Sequence, residues 1–524
     1  MTAGTRERPG APPGRTTAAE KGRRYERPPS RLQGPDWLDG PMTSCHLVLG
    51  AGGLLLVIGL VMVFSASSIE AALADEPAWK PGVQQVIWAG LGLGAMFVAL
   101  RLPVGFLRRW SPIALIGVTV LLLLVLIIGV RLNGARQWFD LGFAHLQPSE
   151  LAKLVFALWG AHVIAMRERY LTTSSLLVPV LPVFAVLSLL LIAEPDFGAV
   201  ATLGLVLVGL LWAGGMPVRY FGFVVAGGAT ALAAVVTFSA ERMERLTSFL
   251  DPFADPTEGG FQAIRGMYAL ANGGLWGVGL GNSAMKWNLL PHAESDYIFA
   301  IIGEELGFLG CLVVVTLYGV LAYAGFRIAR RSADRFIQLA SVAITVWLVG
   351  QAAMNMGYVV GLLPVTGVTL PLISAGGTSL VLTLFIIGLL ARFARSEPAA
   401  IEAQRGQTRG LLARLLLPVP AAAVDPVRPR RVPEERGPRP AVQGGRTVVR
   451  GRPGAPRPVP PRPAPPAATP WNVPAGGPRG AAVPAPARGR RPAEDPARGR
   501  RPAEPAPRRQ PPPAGSPRRP GGPR

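Results

Sequence analysis

Between residues 46 and 393 the chain returns repeatedly to apolar runs of about 20 residues, the length that crosses a hydrocarbon core as an α-helix. Backbone groups in lipid must find their partners within their own segment, so such runs fold as helices. About ten are legible, at 46–65, 83–100, 110–130, 148–166, 176–192, 197–212, 220–238, 297–325, 337–362 and 372–394. The expected fold class is all-α, a polytopic membrane protein of about ten transmembrane helices. A long extracytoplasmic loop, 239–296, separates the seventh helix from the eighth.

Half of the 524 residues are hydrophobic and 16% are charged, yet the net charge is +22, so apolar and basic character lie in different segments. Residues 396–524 hold 25 arginines, no lysine and 8 acids. That stretch is dense in Pro, Ala and Gly and repeats ARGRRPAE at 487–494 and 497–504, the composition of a disordered tail. The expected organisation is a disordered basic N-terminal tail at 1–44, a membrane domain at 45–395 and a disordered Pro/Arg-rich C-terminal tail at 396–524. The basic charge belongs to tails facing anionic lipid, and no nucleic-acid partner is expected. The first run follows Arg23, Arg24, Arg27 and Arg31 and reads as a retained signal anchor. Cys45 and Cys311 fall in different spans, and no disulfide is expected.

With the N-terminus inside, the connectors carrying Arg101, Arg108 and Arg109, Arg167 and Arg169, Arg219, and Arg327 to Arg335 all face the cytoplasm, as the positive-inside rule requires. An even number of spans returns the C-terminus to the same side. Polar residues then gather on the outward side, in connectors 66–82, 131–147, 193–196, 239–296 and 363–371. Within the longest, an amphipathic stretch at 262–275 predicts a re-entrant or surface helix.

Every even-numbered span starts outward, so the positive ends of those helix dipoles point outward too. Three of these starts are unusual: Gln147-Pro148-Ser149-Glu150, Ser295-Asp296, and Ser374-Ala375-Gly376-Gly377-Thr378-Ser379. Ordinary capping and anion binding both fit them. Glu150 and Lys153 share a helical face, as a structural ion pair or as substrate contacts. Arg131 and Arg136 run against the topological bias in an outward loop, which suits a pyrophosphate or headgroup role. Glu194 and Asp196 flank a tight turn and suit capping; Asp251 and Asp255 precede prolines and suit turns. Asp296 immediately precedes a long apolar run, with Glu294 beside it and Glu304 and Glu305 further along. Acids at that level require partners, Arg245 or Lys153 among the candidates, or serve as acid–base groups. No Walker loop, dinucleotide fingerprint or metal-spaced His/Cys cluster occurs, so no organic cofactor is expected.

The stretches 147–153 (QPSELAK), 194–198 (EPDFG), 296–307 (DYIFAIIGEELG), 363–367 (LPVTG) and 374–379 (SAGGTS) resemble, in order and spacing, the signatures of the SEDS family (shape, elongation, division and sporulation). Ile302 to Glu305, Lys286-Trp287, Leu250-Asp251-Pro252 and the basic tail resemble its actinobacterial division branch more than its elongation branch. The resemblance implies a peptidoglycan glycosyltransferase that polymerises lipid II at the division septum, with an essential aspartate at Asp296. Joined to the residue reading, it makes Asp296 the base or the ligand of a divalent cation, Mg or Mn. Arg131, Arg136, Glu150, Lys153, Gly376, Gly377, Thr378 and Ser379 become candidate substrate-binding residues. Implied partners are lipid II, a class B penicillin-binding protein transpeptidase, other division proteins, membrane lipids and, through the C-terminal tail, the cytoskeletal protein FtsZ. The chain departs from the family pattern at Gln137, where Arg is usual before Trp138, and at Glu294-Ser295, where His-Thr is usual. A lipid II flippase or transporter and a division scaffold are the rival readings.

Overall fold

The computed structural model describes residues 39–406 and 419–420, apart from residues 74, 133–134, 143, 168–172, 238–242, 244–246, 255–259, 288–289 and 291–292. They belong to one compact unit, Met1–Val432. Arg245, Asp255 and His292, weighed above, lie outside the described residues.

Each of the ten apolar runs contains a helix. In chain order these are α1 (Thr43–Leu73), α2 (Lys80–Arg101), α3 (Val104–Ile128), α4 (Pro148–Met166), α5 (Thr173–Ala193), α6 (Phe197–Ala213) and α7 (Val218–Thr237), then α9 (Ile298–Arg331), α10 (Arg335–Val359) and α11 (Gly377–Ala394). Among the described residues, seven helices are long and apolar enough to cross a membrane, and α5 and α6 contribute shorter apolar stretches. The chain is thus a multi-pass, all-α membrane protein. The amphipathic stretch after α7 forms α8 (Phe261–Gly273), and a packed helix, α12 (Pro398–Gly406), follows the expected tail boundary at 396.

Two features were not expected from sequence. Residues 130–146 form a small antiparallel sheet of β1 (Val130–Leu132), β2 (Ala135–Asp140) and β3 (His145–Leu146), which pairs Arg131 with Arg136 and Phe139 with Leu146. Helices α3 and α9 also run beyond their apolar runs, so Arg108, Arg109, Arg327, Arg330 and Arg331 are helical, not connector, residues. Arg108 pairs with Asp334, Arg335 donates to Ala213 O (3.0 Å) and Arg392 to Leu102 O (3.0 Å). Arg335 and Arg392 therefore satisfy carbonyls at helix ends that lipid cannot satisfy, and Arg108 holds the carboxylate that caps α10, in addition to biasing topology.

Small residues let helices approach closely where no hydrophobic force separates helix from lipid. Between α2 and α11, a Cβ on Gly388 would lie 2.5 Å from Met96 O. Helix α9 is interrupted at Gly307, whose φ of 69° and ψ of −168° break the helical hydrogen-bond ladder. The freed groups are taken up by the segment after α8. Val278 and Gly279 donate to the carbonyls of Glu304 and Glu305 (2.9 and 3.0 Å), and Phe308 N donates to Gly274 O (2.9 Å). Gly277 permits this insertion, since a Cβ there would sit 2.1 Å from Glu305 O. The carboxylates at the break are also matched. Glu304 accepts from Ser283 Oγ and from Ala284 N (3.2 Å). Glu305 forms a fully buried ion pair with Lys286, and both contact Ser65 Oγ of α1, at 2.8 and 2.9 Å. The partner of Glu305 is therefore Lys286, and Lys153 pairs with Glu150 instead.

Candidate functional site

Asp296 stands half-exposed just ahead of α9, at the same end of the molecule as the 130–146 sheet and the start of α11. Its backbone is held from two sides. The Asp296 carbonyl accepts from Asn355 Nδ2 (2.9 Å) and Tyr358 Oη (2.8 Å), both from α10. The same two groups also reach Val368 O, at 2.8 and 2.9 Å. Ser374 Oγ donates to Ser295 O (2.6 Å) and Ala375 N donates to Glu294 O (2.9 Å). Residues 294–296 are thereby stitched along the 368–375 segment, and a Cβ on Gly367 would come 3.7 Å from Asp296 Oδ2. The next side chain, Tyr297, is buried edge-on against Tyr358 with ring centroids 5.7 Å apart. Burial, then the neighbouring Asp296 charge, raises its phenol pKa.

On the other side of the 366–370 segment lies a second polar cluster, built from the starts of α4 and α6. Asp196 caps α6 through Ala199 N (2.8 Å), as expected from sequence, and accepts from Gln147 Nε2 (3.0 Å) and Ser149 Oγ (3.1 Å). Lys153, 1% exposed, pairs with Glu150 at 2.8 Å, donates to Gln351 Oε1 at 3.4 Å and lies 5.1 Å above the Trp347 ring. Gln351 donates onward to Thr369 O (3.0 Å). A Cβ on Gly198 would sit 2.9 Å from Thr366 O. The two acids of this turn resist ionisation. Burial and the Asp196 charge push Glu194 up to about 8. Burial also raises Asp196, against the opposing hydrogen bond from Ala199 and the charge of Lys153.

The remaining sequence candidates separate. Arg136 donates to Leu126 O and Ile127 O (3.1 and 3.2 Å), closing the C-terminal end of α3. Arg131 is exposed on β1. Gly376 to Ser379 begin α11 and line a cavity of about 300 Å³ shared with α2 and the 138–145 turn. Thr378 Oγ1 there donates to His145 O (2.8 Å). The arrangement thus joins Asp296, the 366–376 segment and the Glu150–Lys153 pair, and leaves Arg136 occupied elsewhere. Asp251 accepts from Phe253 N (3.2 Å), as a turn former does.

Sequence reasoning missed Asn355, Tyr358 and Gln351. Each is a polar residue buried in the C-terminal half of an apolar helix, which is the signal that could have found them. Among the described residues no group of three His, Cys, Asp or Glu is placed to hold a metal. A divalent cation at Asp296 would therefore have fewer than three such ligands among the described residues, which fits an ion that keeps waters and binds substrate phosphates.

The comparisons with known proteins agree with this architecture. The family described as cell cycle protein, FtsW/RodA/SpoVE, matches residues 45–398. The Mycobacterium tuberculosis protein named Probable peptidoglycan glycosyltransferase FtsW is 43% identical over 426 residues, covering 80% of this chain and 81% of that one. Stage V sporulation protein E of Bacillus subtilis is 37% identical over 349 residues, 65% of this chain and 94% of its own. Among solved structures, a chain of a peptidoglycan synthase complex that coordinates polymerization and crosslinking superposes with a TM-score of 0.56 at 26% identity, over 67% of this chain and 97% of that one. The Thermus thermophilus rod shape determining protein RodA superposes with a TM-score of 0.51 at 26% identity, over 70% of this chain and 99% of that one. With ten apolar helices among the described residues, an aspartate fixed ahead of the broken one and a family match over residues 45–398, the chain belongs to the FtsW/RodA/SpoVE family, the SEDS proteins.

Proposed function

We infer that this chain is a peptidoglycan glycosyltransferase of FtsW type that polymerises lipid II, with Asp296 as its central acid–base residue. The observation that carries the reading is Asp296 itself, half-exposed yet held through its backbone by Asn355, Tyr358 and Ser374 in a chain whose relatives bear that activity in their names. A group so fixed meets its substrate without reorganising.

In the proposed reaction the 4-hydroxyl of an acceptor sugar attacks the anomeric carbon of the donor from the face opposite the leaving group. Asp296 takes the hydroxyl proton, the new C–O bond forms, and the bond to undecaprenyl pyrophosphate breaks with inversion. In the alternative reading Asp296 would instead hold a Mg or Mn ion, which would supply charge neutralisation at the leaving pyrophosphate. Of the three cations named from sequence, Arg131 is exposed and open to a headgroup. Arg136 closes α3, and Lys153 acts through the field of its pair with Glu150. The Asp296 end faces outward, both termini are cytoplasmic, and the enzyme works at the septum of the plasma membrane. There a class B penicillin-binding protein crosslinks the product, in keeping with the synthase complex whose chain this fold matches.

The test is polymerisation of purified lipid II by the protein with its cognate transpeptidase. Wild type makes glycan strands, and Asp296→Asn makes none while melting at the wild-type temperature. Full polymerisation by Asp296→Asn removes the acid–base role. Movement of lipid II across vesicles by a wild type that never polymerises replaces the whole reading with that of a flippase.

A further inference from the structure

The cavity at the start of α11 has a lining unlike that of a phosphate site. Its walls include Gln84 and Trp88 of α2, Trp138 and His145 of the small sheet, and the Gly376 to Ser379 turn, and among the described residues no Lys, Arg, Asp or Glu lines it. An anion brought here would meet helix-end N–H groups but no cation, whereas a neutral ligand with one apolar face and a polar rim matches every wall. The indole of Trp88 lies against the backbone of Gly377, where a Cβ would be 2.6 Å from the ring. Trp138 is steadied edge-on by His145, centroids 6.5 Å apart and planes 89° to each other.

Gly376 behaves differently from Gly377. Its φ of 171° is extended backbone open to any residue, and a Cβ there would meet only Ser379 at an ordinary 3.5 Å. Neither backbone nor packing calls for glycine at 376, so its missing side chain serves to leave the cavity open. The cavity also adjoins the Asp296 segment. Gln85 donates to Ser374 O (3.4 Å), and residues 374 and 375 are the ones that bind 294 and 295.

We propose that the Trp88–Trp138 cavity is a saccharide subsite, holding one N-acetylhexosamine ring of the glycan being made beside Asp296. The inference rests on the glycosyltransferase reading and refines it. The ring's C–H face packs on indole, its hydroxyl and amide rim meets Gln84, Ser379 and the N–H groups of the α11 start, and no charge is placed on the ligand. At about 300 Å³ the cavity is at the small end of ligand sites, suited to a sugar ring and not to a polyprenyl chain or a polypeptide.

The test compares wild type with Gly376→Leu, which closes the cavity on a tolerant backbone, Trp138→Leu, which removes the platform, and Trp138→Phe, which keeps an aromatic face. Each is assayed as the full chain with its transpeptidase for KM and kcat on lipid II. Each is also assayed for direct binding of a lipid-free tetrasaccharide of alternating N-acetylglucosamine and N-acetylmuramic acid. Both Leu variants should weaken KM or tetrasaccharide binding about tenfold with kcat and melting temperature nearly kept, and Trp138→Phe should stay within about threefold of wild type. A defect confined to lipid II assigns the ring to the lipid-linked monomer, and one confined to the tetrasaccharide assigns it to the growing strand. Wild-type KM and tetrasaccharide affinity in both Leu variants overturn the subsite while the polymerase stands. Conversely, tetrasaccharide binding that depends on Trp138 in a protein that never polymerises keeps the subsite and removes the polymerase reading. Gln84→Ala, at an exposed position, covers any folding loss in the other variants by reading the rim contact alone.

Discussion

The charged side chains of greatest consequence are those withdrawn from water. Lys286 and Glu305 are wholly buried and share Ser65, so each compensates the desolvation of the other. Lys286→Met should cost about 3–5 kcal/mol, because it strands a carboxylate, and adding Glu305→Leu should restore much of that loss. A double-mutant cycle on thermal unfolding in detergent checks this; equal stability of Lys286→Met and wild type would contradict it. Glu194 makes a pH-dependent contribution. Its folded pKa, near 8, lies above the ordinary carboxylate value of 4.5, so the folded state holds a proton that the unfolded state has released. The stabilisation is complete below the unfolded value and is lost as pH rises towards 8. Glu194→Gln should therefore flatten the fall in melting temperature between about pH 5 and 8, and an unchanged slope would refute the assignment. At this scale the sequence was legible only where chemistry was local. Asp196 as a cap and Glu150 with Lys153 follow from spacing alone, and the structure has both. The Lys286–Glu305 pair and the Asn355 and Tyr358 bonds to residue 296 join distant positions, and no local pattern announces them.

Among the elements, α9 has two parts with separate duties. Residues before Gly307 carry Asp296 and are bonded to the 274–286 and 368–375 segments; those after it span. Gly307→Ala places a Cβ 2.4 Å from Gly277 N and forces a side chain into positive φ, a strain of about 1–3 kcal/mol before the clash is counted. The variant should lower polymerisation more than it lowers expression, and should speed amide exchange at Val278 and Gly279. Wild-type exchange there would show that the insertion does not depend on the break. The spans themselves were readable because hydrocarbon imposes a length and an apolarity that few other constraints disturb. The sheet at 130–146 escaped because its strands are two to six residues long, too short for alternation to register. The interruption of α9 was hidden because glycine is ordinary within membrane helices and its φ leaves no mark in sequence.

Across the whole molecule, the end away from Asp296 is tied together by α12. Ala400 and Ile401 are buried, and Gln404 exchanges hydrogen bonds with Arg395, at 3.1 Å each way. Arg331 pairs with Glu397 at 3.4 Å, and Arg327 reaches Ser44, so α1, α9 and α12 share one polar knot. Truncation after residue 406 should leave melting temperature and polymerisation intact, whereas truncation after 396 should lower the melting temperature by several degrees. Equal stability of the two would show α12 to be dispensable. The break in α9 carries a mechanical corollary. A rigid rod from one membrane face to the other would pass any tilt of its lower half straight to the aspartate. A jointed one decouples them, and the upper half takes its position from the loop threaded through the joint. That loop presents Leu275 and Trp276 to the surroundings, 54% and 76% exposed. A load on this rim reaches the helix on both sides of Gly307, through the bonds of Val278 and Gly279 to the carbonyls of residues 304 and 305 and those of Phe308 and Leu309 to the carbonyls of residues 274 and 275.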